Sequence, residues 1–219
     1  MSADLHFVRA AAAQLAAATD ATCAALAEGL VGSERAFTDR LVRRMASELD
    51  GFTSHEMRWR AKAFVDRPAE EATYLADLLV AFEVDLPDYG VRSGILATVV
   101  RRGPQDAADH EALEALRRRC QLMLTATGDA FVLMARPSGV IVLPAATVAG
   151  SVGRLDRLHQ RTLGRFFEEH FSSFIGDPRM AGEERVSIDE LCRQHRARTG
   201  LALHVEPASM PHQESLFRR

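Results

Sequence analysis

The chain has 219 residues, 47% of them hydrophobic, a formal net charge of -3 and a pI near 6.2. That length and apolar content are enough for one substantial core with extensions, and the near-neutral charge excludes a global pull toward nucleic acid, so any DNA contact must come from local arginines. Cys23, Cys120 and Cys192 are odd in number and far apart, which argues against a structural zinc cluster or a disulfide framework and fits reduced thiols in a soluble cytoplasmic protein.

From Leu5 to Leu30 the residues Leu5, Val8, Ala12, Leu15, Thr19, Thr22, Leu26 and Leu30 recur at intervals of three and four. This predicts a helix that breaks at Gly29 or Gly32. Asp4, His6 and Arg9 precede an alanine run that Gln14, Thr19 and Asp20 interrupt, so neither a signal peptide nor a membrane span is expected. An alanine-rich stripe lets a second helix approach closely, which leaves two readings: packing within the fold, or a seam for a homodimer or partner protein. Ser33 with Glu34, or Thr38 with Asp39, can start a second helix with Phe37, Leu41, Val42, Met45 and Leu49 inward, stopped at Asp50-Gly51.

Met57 to Val65 alternates as a strand, with Trp59, Ala61 and Ala63 on one side and Arg58, Arg60 and Lys62, the only lysine, on the other. Asp66, Arg67 and Pro68 break it. Asp77 to Leu86 and Val91 to about Arg101 then read as a hairpin around Pro87, Asp88, Tyr89 and Gly90. A four-residue loop pairs Leu86 with Val91, and so sets Asp77 opposite Val100 and Leu79 opposite Thr98. By parity Glu83 and Asp85 share the Asp77 face, where they read as charges on the open end of a strand.

A helix is expected from about Asp106 to Thr127, with Leu113, Leu116, Cys120, Met123 and Leu124 inward. Its Arg117, Arg118 and Arg119 span about 200 degrees of arc, a solvated rim rather than a phosphate clamp. Ala130 to Arg136 and Val140 to Leu143 flank Pro137-Ser138-Gly139 as a second hairpin, and strand, helix, strand here makes a right-handed crossover. Leu155 to Phe174 predicts one helix, with Leu158, Leu163, Phe166, Phe167 and Phe171 inward. Its His159 and His170 would share a face about 16 Å apart, too far for one metal ion. Ser187 and Glu190 have capping-box spacing for a shorter helix, Leu201 to Val205 suits a terminal strand, and the tail from Pro207 is expected to be loose.

Glu71, the Ala76-Asp77 pair opening an apolar strand, Asp85-Leu86-Pro87 and Gly94-Ile95-Leu96 together resemble the restriction-endonuclease-like PD-(D/E)XK superfamily, over roughly Phe37 to Pro144. The resemblance implies an α/β fold with a restriction-endonuclease-like core: helix, three-strand meander, helix, strand. It divides the chain into an N-terminal helical extension (1–32), the core (33–149) and a C-terminal helical segment with the tail (150–219). It maps Asp77 onto the central metal carboxylate and Glu71, or Glu70, onto the helix-side acid, with Mg²⁺ as the cofactor of an active enzyme.

In that superfamily the returning strand ends in Glu-x-Lys or Gln-x-Lys, and here Thr98, Val99 and Val100 stand in those places. Metal-dependent phosphodiester cleavage needs carboxylates on a hard cation and a nearby base or cation for the attacking water. Losing a general base costs about 100- to 10,000-fold in rate, whereas a buried valine contributes roughly 1.5 to 3 kcal/mol to stability. The leading expectation is therefore a nuclease-like protein with a degenerate centre, a DNA-associated binding or assembly subunit in a bacterial defence or DNA-processing system. Arg58, Arg60 and Arg101 are its candidate DNA contacts. One alternative is an active Mg²⁺-dependent endonuclease that uses Glu71, Asp77 and a displaced Lys62. Another is a scaffold that dimerises through the alanine-rich helix and touches no nucleic acid.

Overall fold

Branched and small residues alternate through much of the chain, and in the computed structural model they build an eight-stranded mixed sheet. The structure describes residues 6–66, 74–86, 89–101, 110–151, 155–172, 174–181 and 186–208. In chain order the elements are α1 (His6–Ala27), α2 (Glu34–Leu49), β1 (Thr53–Ser54), β2 (Met57–Val65), β3 (Ala76–Leu86), β4 (Tyr89–Arg101), α3 (His110–Ala126), β5 (Ala130–Arg136) and β6 (Gly139–Pro144). They continue with α4 (Ala145–Gly150), β7 (Arg161–Thr162), α5 (Leu163–Phe171), α6 (Ile188–Gln194) and β8 (Ala197–Pro207). The fold is α/β.

The sheet order is β1-β2-β8-β3-β4-β5-β6-β7, with β3 parallel to β8, β4 parallel to β5 and the other pairs antiparallel. α1, α2 and α5 cover one face, where Leu15, Phe37 and Phe166 join Leu78, Val80, Phe82 and Leu201 in one core. α3, α4 and α6 cover part of the other, where Cys120, Val148 and Leu191 meet Leu79, Leu96 and Val132. Burying both faces of the central strands explains their near-continuous apolar sequence. Helix ends follow local chemistry. The Ser33 side chain accepts from the Ala36 amide at 3.1 Å to cap α2, and Gly29, at φ +73°, turns the end of α1 so that the Leu30 amide donates to the Ala25 carbonyl.

Four expectations are corrected. First, β2, β3 and β4 do not form a direct meander, because β8 lies between β2 and β3. Its stretch ARTGLALHVEP offers Leu201, Leu203 and Val205 to one core and the small Gly200 and Ala202 to the other face, which suits a central strand. Second, Leu86 pairs with Tyr89 and Val84 with Val91, so only residues 87 and 88 connect the hairpin strands. A two-residue connection matches the twist of paired strands better than the expected four. The register moves by two, which leaves every residue on the face that parity assigned.

Third, the long helix expected from Leu155 to Phe174 is interrupted. Leu155–Arg157 is a 3-10 turn, β7 pairs with β6, and α5 begins only after Thr162, whose hydroxyl accepts from the Arg165 amide at 3.3 Å. Fourth, residues 150–219, expected to be helical apart from a terminal strand over Leu201 to Val205, supply the unexpected β7, and the terminal strand is the longer β8. The turn residues Pro87 and Asp88, and Glu70 and Glu71, lie outside the described residues.

Candidate functional site

β3 enters the sheet at Ala76, and its next residue, Asp77, faces the side covered by α3. The Asp77 carboxylate is enclosed by donors from three directions. Oδ2 accepts from Thr98 Oγ1 at 2.7 Å and from the Val99 amide at 2.8 Å, both on β4. Oδ1 accepts from Arg119 Nη2 at 2.9 Å, which reaches over from α3. The backbone of the same residue is held too, since the buried Thr199 hydroxyl of β8 donates to the Asp77 carbonyl at 2.5 Å.

This geometry follows from the two-residue shift in register. Continuing the pairing of Leu78 with Ala97 by one step sets Asp77 opposite Thr98, not opposite Val100 as expected from sequence. The carboxylate therefore has its hydroxyl partner directly across, and α3, with Leu116, Cys120 and Met123 buried, carries Arg119 to the rim beside it. Asp77 is 17% exposed and Arg119 36%. A charged pair with added neutral donors at that depth is a clasp between helix and sheet.

These residues do not fit a divalent cation. A hard cation binds through free carboxylate oxygens and keeps some of its waters, whereas both Asp77 oxygens accept hydrogen bonds and a guanidinium already fills the place of a metal's charge. Among the described residues there is no group of three or more His, Cys, Asp or Glu side chains arranged to hold a metal. Val100 packs toward the α3 side of the core and brings no polar atom.

Lys62 shares the Asp77 face, a point that sequence leaves open, but it does not share the site. Lys62 pairs with Ala202, which pairs with Ala81, four residues along β3 from Asp77. That is about 13 Å along the strand and about 10 Å across two strand spacings, beyond the reach of a lysine side chain. The candidate DNA contacts divide in the same way. Arg58 and Arg60 are exposed near the hairpin end of the sheet, where Arg60 pairs with Glu206 at 3.0 Å. Arg101 closes β4 at the other end, its amide donating to Glu34 Oε1 at 2.9 Å. Arg60 lies on the row of Arg92, and nine residues of strand put Arg101 about 30 Å from that row.

Sequence reasoning did not find Arg119 or Thr199 as partners of Asp77. The only available signal was the place of Arg119 beside the buried Cys120 on the inward stripe of α3. Sequence reasoning also passed over Asp177, which accepts from Arg179 and from Thr127 Oγ1 and is drawn down to about 2 in pKa, first by the Arg179 hydrogen bonds. That segment is stapled to β4 through the Gly94–Asp177 bridge, and a Cβ on Gly94 would come within 2.8 Å of Met180. His170 is buried among Phe82, Phe166 and Phe171. Its Nδ1 lies 3.0 Å from the Ile175 carbonyl, and desolvation lowers its pKa to about 4. His159 precedes α5, and Glu169 pairs with Arg161 and Arg165.

Compared with protein-family models, curated proteins and solved structures, the chain matches none. Among the described residues no helix is long and apolar enough to cross a membrane.

Proposed function

We propose that this protein is restriction-endonuclease-like with a degenerate catalytic centre, and that it works as a DNA-associated binding or assembly subunit and not as a nuclease. The observation that carries the proposal is the state of Asp77. Where an active centre needs a carboxylate free to hold a metal, this one is consumed by Thr98, Val99 and Arg119. Two further features support it: Thr98 and Val100 stand where the family has its amide or acid and its lysine, and Lys62 is too distant to substitute. Conversion of a chemical site into a clasp keeps the scaffold and removes the reaction. The contacts to DNA would come from Arg101 at the Asp77 end, with Arg58 and Arg60 as a separate contact region on β2.

The test is a pair of assays on purified protein. With supercoiled DNA and Mg²⁺ or Mn²⁺, no cutting is expected. With a fluorescent duplex, binding that weakens steeply with added salt is expected, because phosphate contacts release counterions, and Arg101→Ala should weaken it. Metal-dependent cutting that Asp77→Ala abolishes would overturn the non-catalytic reading. Absence of duplex binding at low salt would overturn the DNA association and leave assembly with a protein partner.

A further inference from the structure

On the α3 and α6 side of the sheet, cross-strand pairing sorts the side chains into rows. Arg60, His204, Glu83 and Arg92 form one charged row across β2, β8, β3 and β4. Two residues along, the row is Lys62, Ala202, Ala81 and Gly94. At the next, Gly200 touches α6 so closely that a Cβ there would lie 2.5 Å from Cys192 Sγ and from Ile188 Cγ1. The helix therefore rests on the Gly200 row and covers the alanine row only in part, with Ala81 buried and Ala202 half-buried. The result is a trench of about 450 Å³ with Ala81 and Ala202 on its floor, Leu191 and Val186 as one wall and the charged row as the other. Its β4 end is closed by the segment that carries Met180, which presses on Gly94.

Among the described residues, both arginines that line this trench are paired with a carboxylate. Arg92 donates to Glu83 at 2.7 Å, His204 stands 3.6 Å from the same carboxylate, and Arg60 pairs with Glu206 at 3.0 Å. Asp50, on the rim, accepts the Ala61 amide at 3.2 Å. Lys62 is exposed at the β2 end of the trench and makes no hydrogen bond or ion pair with any described residue. Among the described residues the lining holds Arg60, Lys62 and Arg92 against Asp50 and Glu83, and with Arg60 on Glu206 and Arg92 on Glu83, Lys62 is the cation of the lining that has no carboxylate partner.

We infer that this trench binds a small amphipathic anion, with a compact oxyanion head on the Lys62 ammonium and an apolar body on Ala81 and Ala202 against Leu191 and Val186. The volume lies within the usual range for small-molecule sites, about 300 to 1,000 Å³. The floor between β3 and β2 spans about 10 Å, the length of a short alkyl or aryl body. A lysine is a mobile point charge, so it accepts either a carboxylate or a phosphate head. The site is separate from the Asp77 centre, at least about 13 Å along the strands from it, but it shares Arg60 with the proposed β2 contact region, so Arg101→Ala, outside the trench, tests the DNA-associated reading by itself.

Isothermal titration calorimetry with decanoate, decyl phosphate, decanol and inorganic phosphate tests the inference. One of the two amphipathic anions should bind at one per chain, and the tighter of the two identifies the head group. Decanol should bind about tenfold more weakly, as expected for the loss of one ion pair worth about 1.4 kcal/mol. Lys62→Gln should weaken the anion at least fivefold, and Ala202→Leu, which fills the floor, should abolish binding. Lys62 is exposed and has no partner among the described residues, so Lys62→Gln keeps the fold and the test stands even if Ala202→Leu disturbs it. Equal binding of decanol and decanoate, affinity unchanged in Lys62→Gln, inorganic phosphate binding as tightly as decyl phosphate, or no binding at all would each overturn it.

Discussion

Asp77 and Lys62 lie on the same side of one sheet, and the protein treats their charges in opposite ways. At Asp77 a helix arrives with a guanidinium, the facing strand supplies a hydroxyl and an amide, and the carboxylate becomes part of the framework. At Lys62 the neighbours across the sheet are Ala202 and Ala81, and α6 covers that row only in part. The difference lies in how far the helices extend over the sheet. A charge brought under cover must be paired, because its desolvation is otherwise uncompensated. A charge left beside small residues at the edge of cover remains available to solvent or to a ligand.

The largest effect that probes this contrast is removal of the Asp77 carboxylate. Asp77→Ala leaves the fully buried Thr98 hydroxyl and the Val99 amide without their acceptor and Arg119 without its counter-charge. The expected loss is about 2 to 4 kcal/mol in urea unfolding, with Arg119 adding least because water reaches it. Asp77→Asn keeps an acceptor and should lose less. If Asp77→Ala unfolds within 0.5 kcal/mol of the parent, a threshold of about the size of an ordinary surface substitution, the cluster is not structural and the contrast with Lys62 disappears.

The other face of the sheet contains a group that stays covered by remaining uncharged. His170 is fully buried beside Phe82, Phe166 and Phe171, and desolvation lowers its pKa from 6.5 to about 4. The unfolded chain takes up this proton below about pH 6.5, while the folded protein refuses it until about pH 4. Stability should therefore fall as the pH drops through that window, by up to about 3 kcal/mol, and be unaffected by this group above pH 7. Melting curves from pH 7 to pH 4 measure the slope, and His170→Leu should flatten it. A slope that survives the substitution would assign the proton uptake elsewhere. Asp177, lowered to about 2, acts only below that window, with stability that is present above its usual pKa of 3.8 and lost on further acidification.

The periodic elements were legible from residues alone. The bounds of β2 and β5 match their alternation, and Ser33 starts α2 where capping chemistry places it. The position of β8 was not legible. Five residues, Leu201 to Val205, read equally well as a terminal strand or a central one, and only long-range pairing with β2 and β3 decides between them. The break before α5 was hidden because Leu163, Phe166, Phe167 and Phe171 keep helical spacing beyond it and only the five-residue step from Leu158 to Leu163 departs from it, while the cap that starts the helix is a single Thr162 hydroxyl. At the candidate site, parity gave the right face for Asp77 but turn length gave the wrong partner. Arg119 lies 42 residues away, where no local rule can reach.

A smaller effect separates the members of the clasp. Thr98→Val deletes one hydroxyl donor at a buried position of similar shape and should lower stability by about 1 kcal/mol. A double-mutant cycle with Arg119→Met then reports whether the two donors act through Asp77. Residues that share one acceptor couple by about 0.5 kcal/mol or more, and independent sites add. Additive losses would mean that Arg119 and Thr98 hold the carboxylate separately, which weakens the description of one clasp.

Lys62→Gln carries the smallest expected effect on stability and the sharpest consequence for the comparison. The side chain is exposed and has no partner among the described residues, so the change should stay within about 0.5 kcal/mol in the unfolding assay that registers Asp77→Ala. The same exposure has a chemical readout, because Lys62 is the only lysine in the sequence. An amine-reactive reagent should modify this side chain rapidly in the folded protein, with the site read by peptide mass spectrometry, and an occupied trench should protect it. Slow labelling in the folded protein but fast labelling in urea would mean that the ammonium is covered. The two charges would then be handled alike, and the trench would have no free cation to offer.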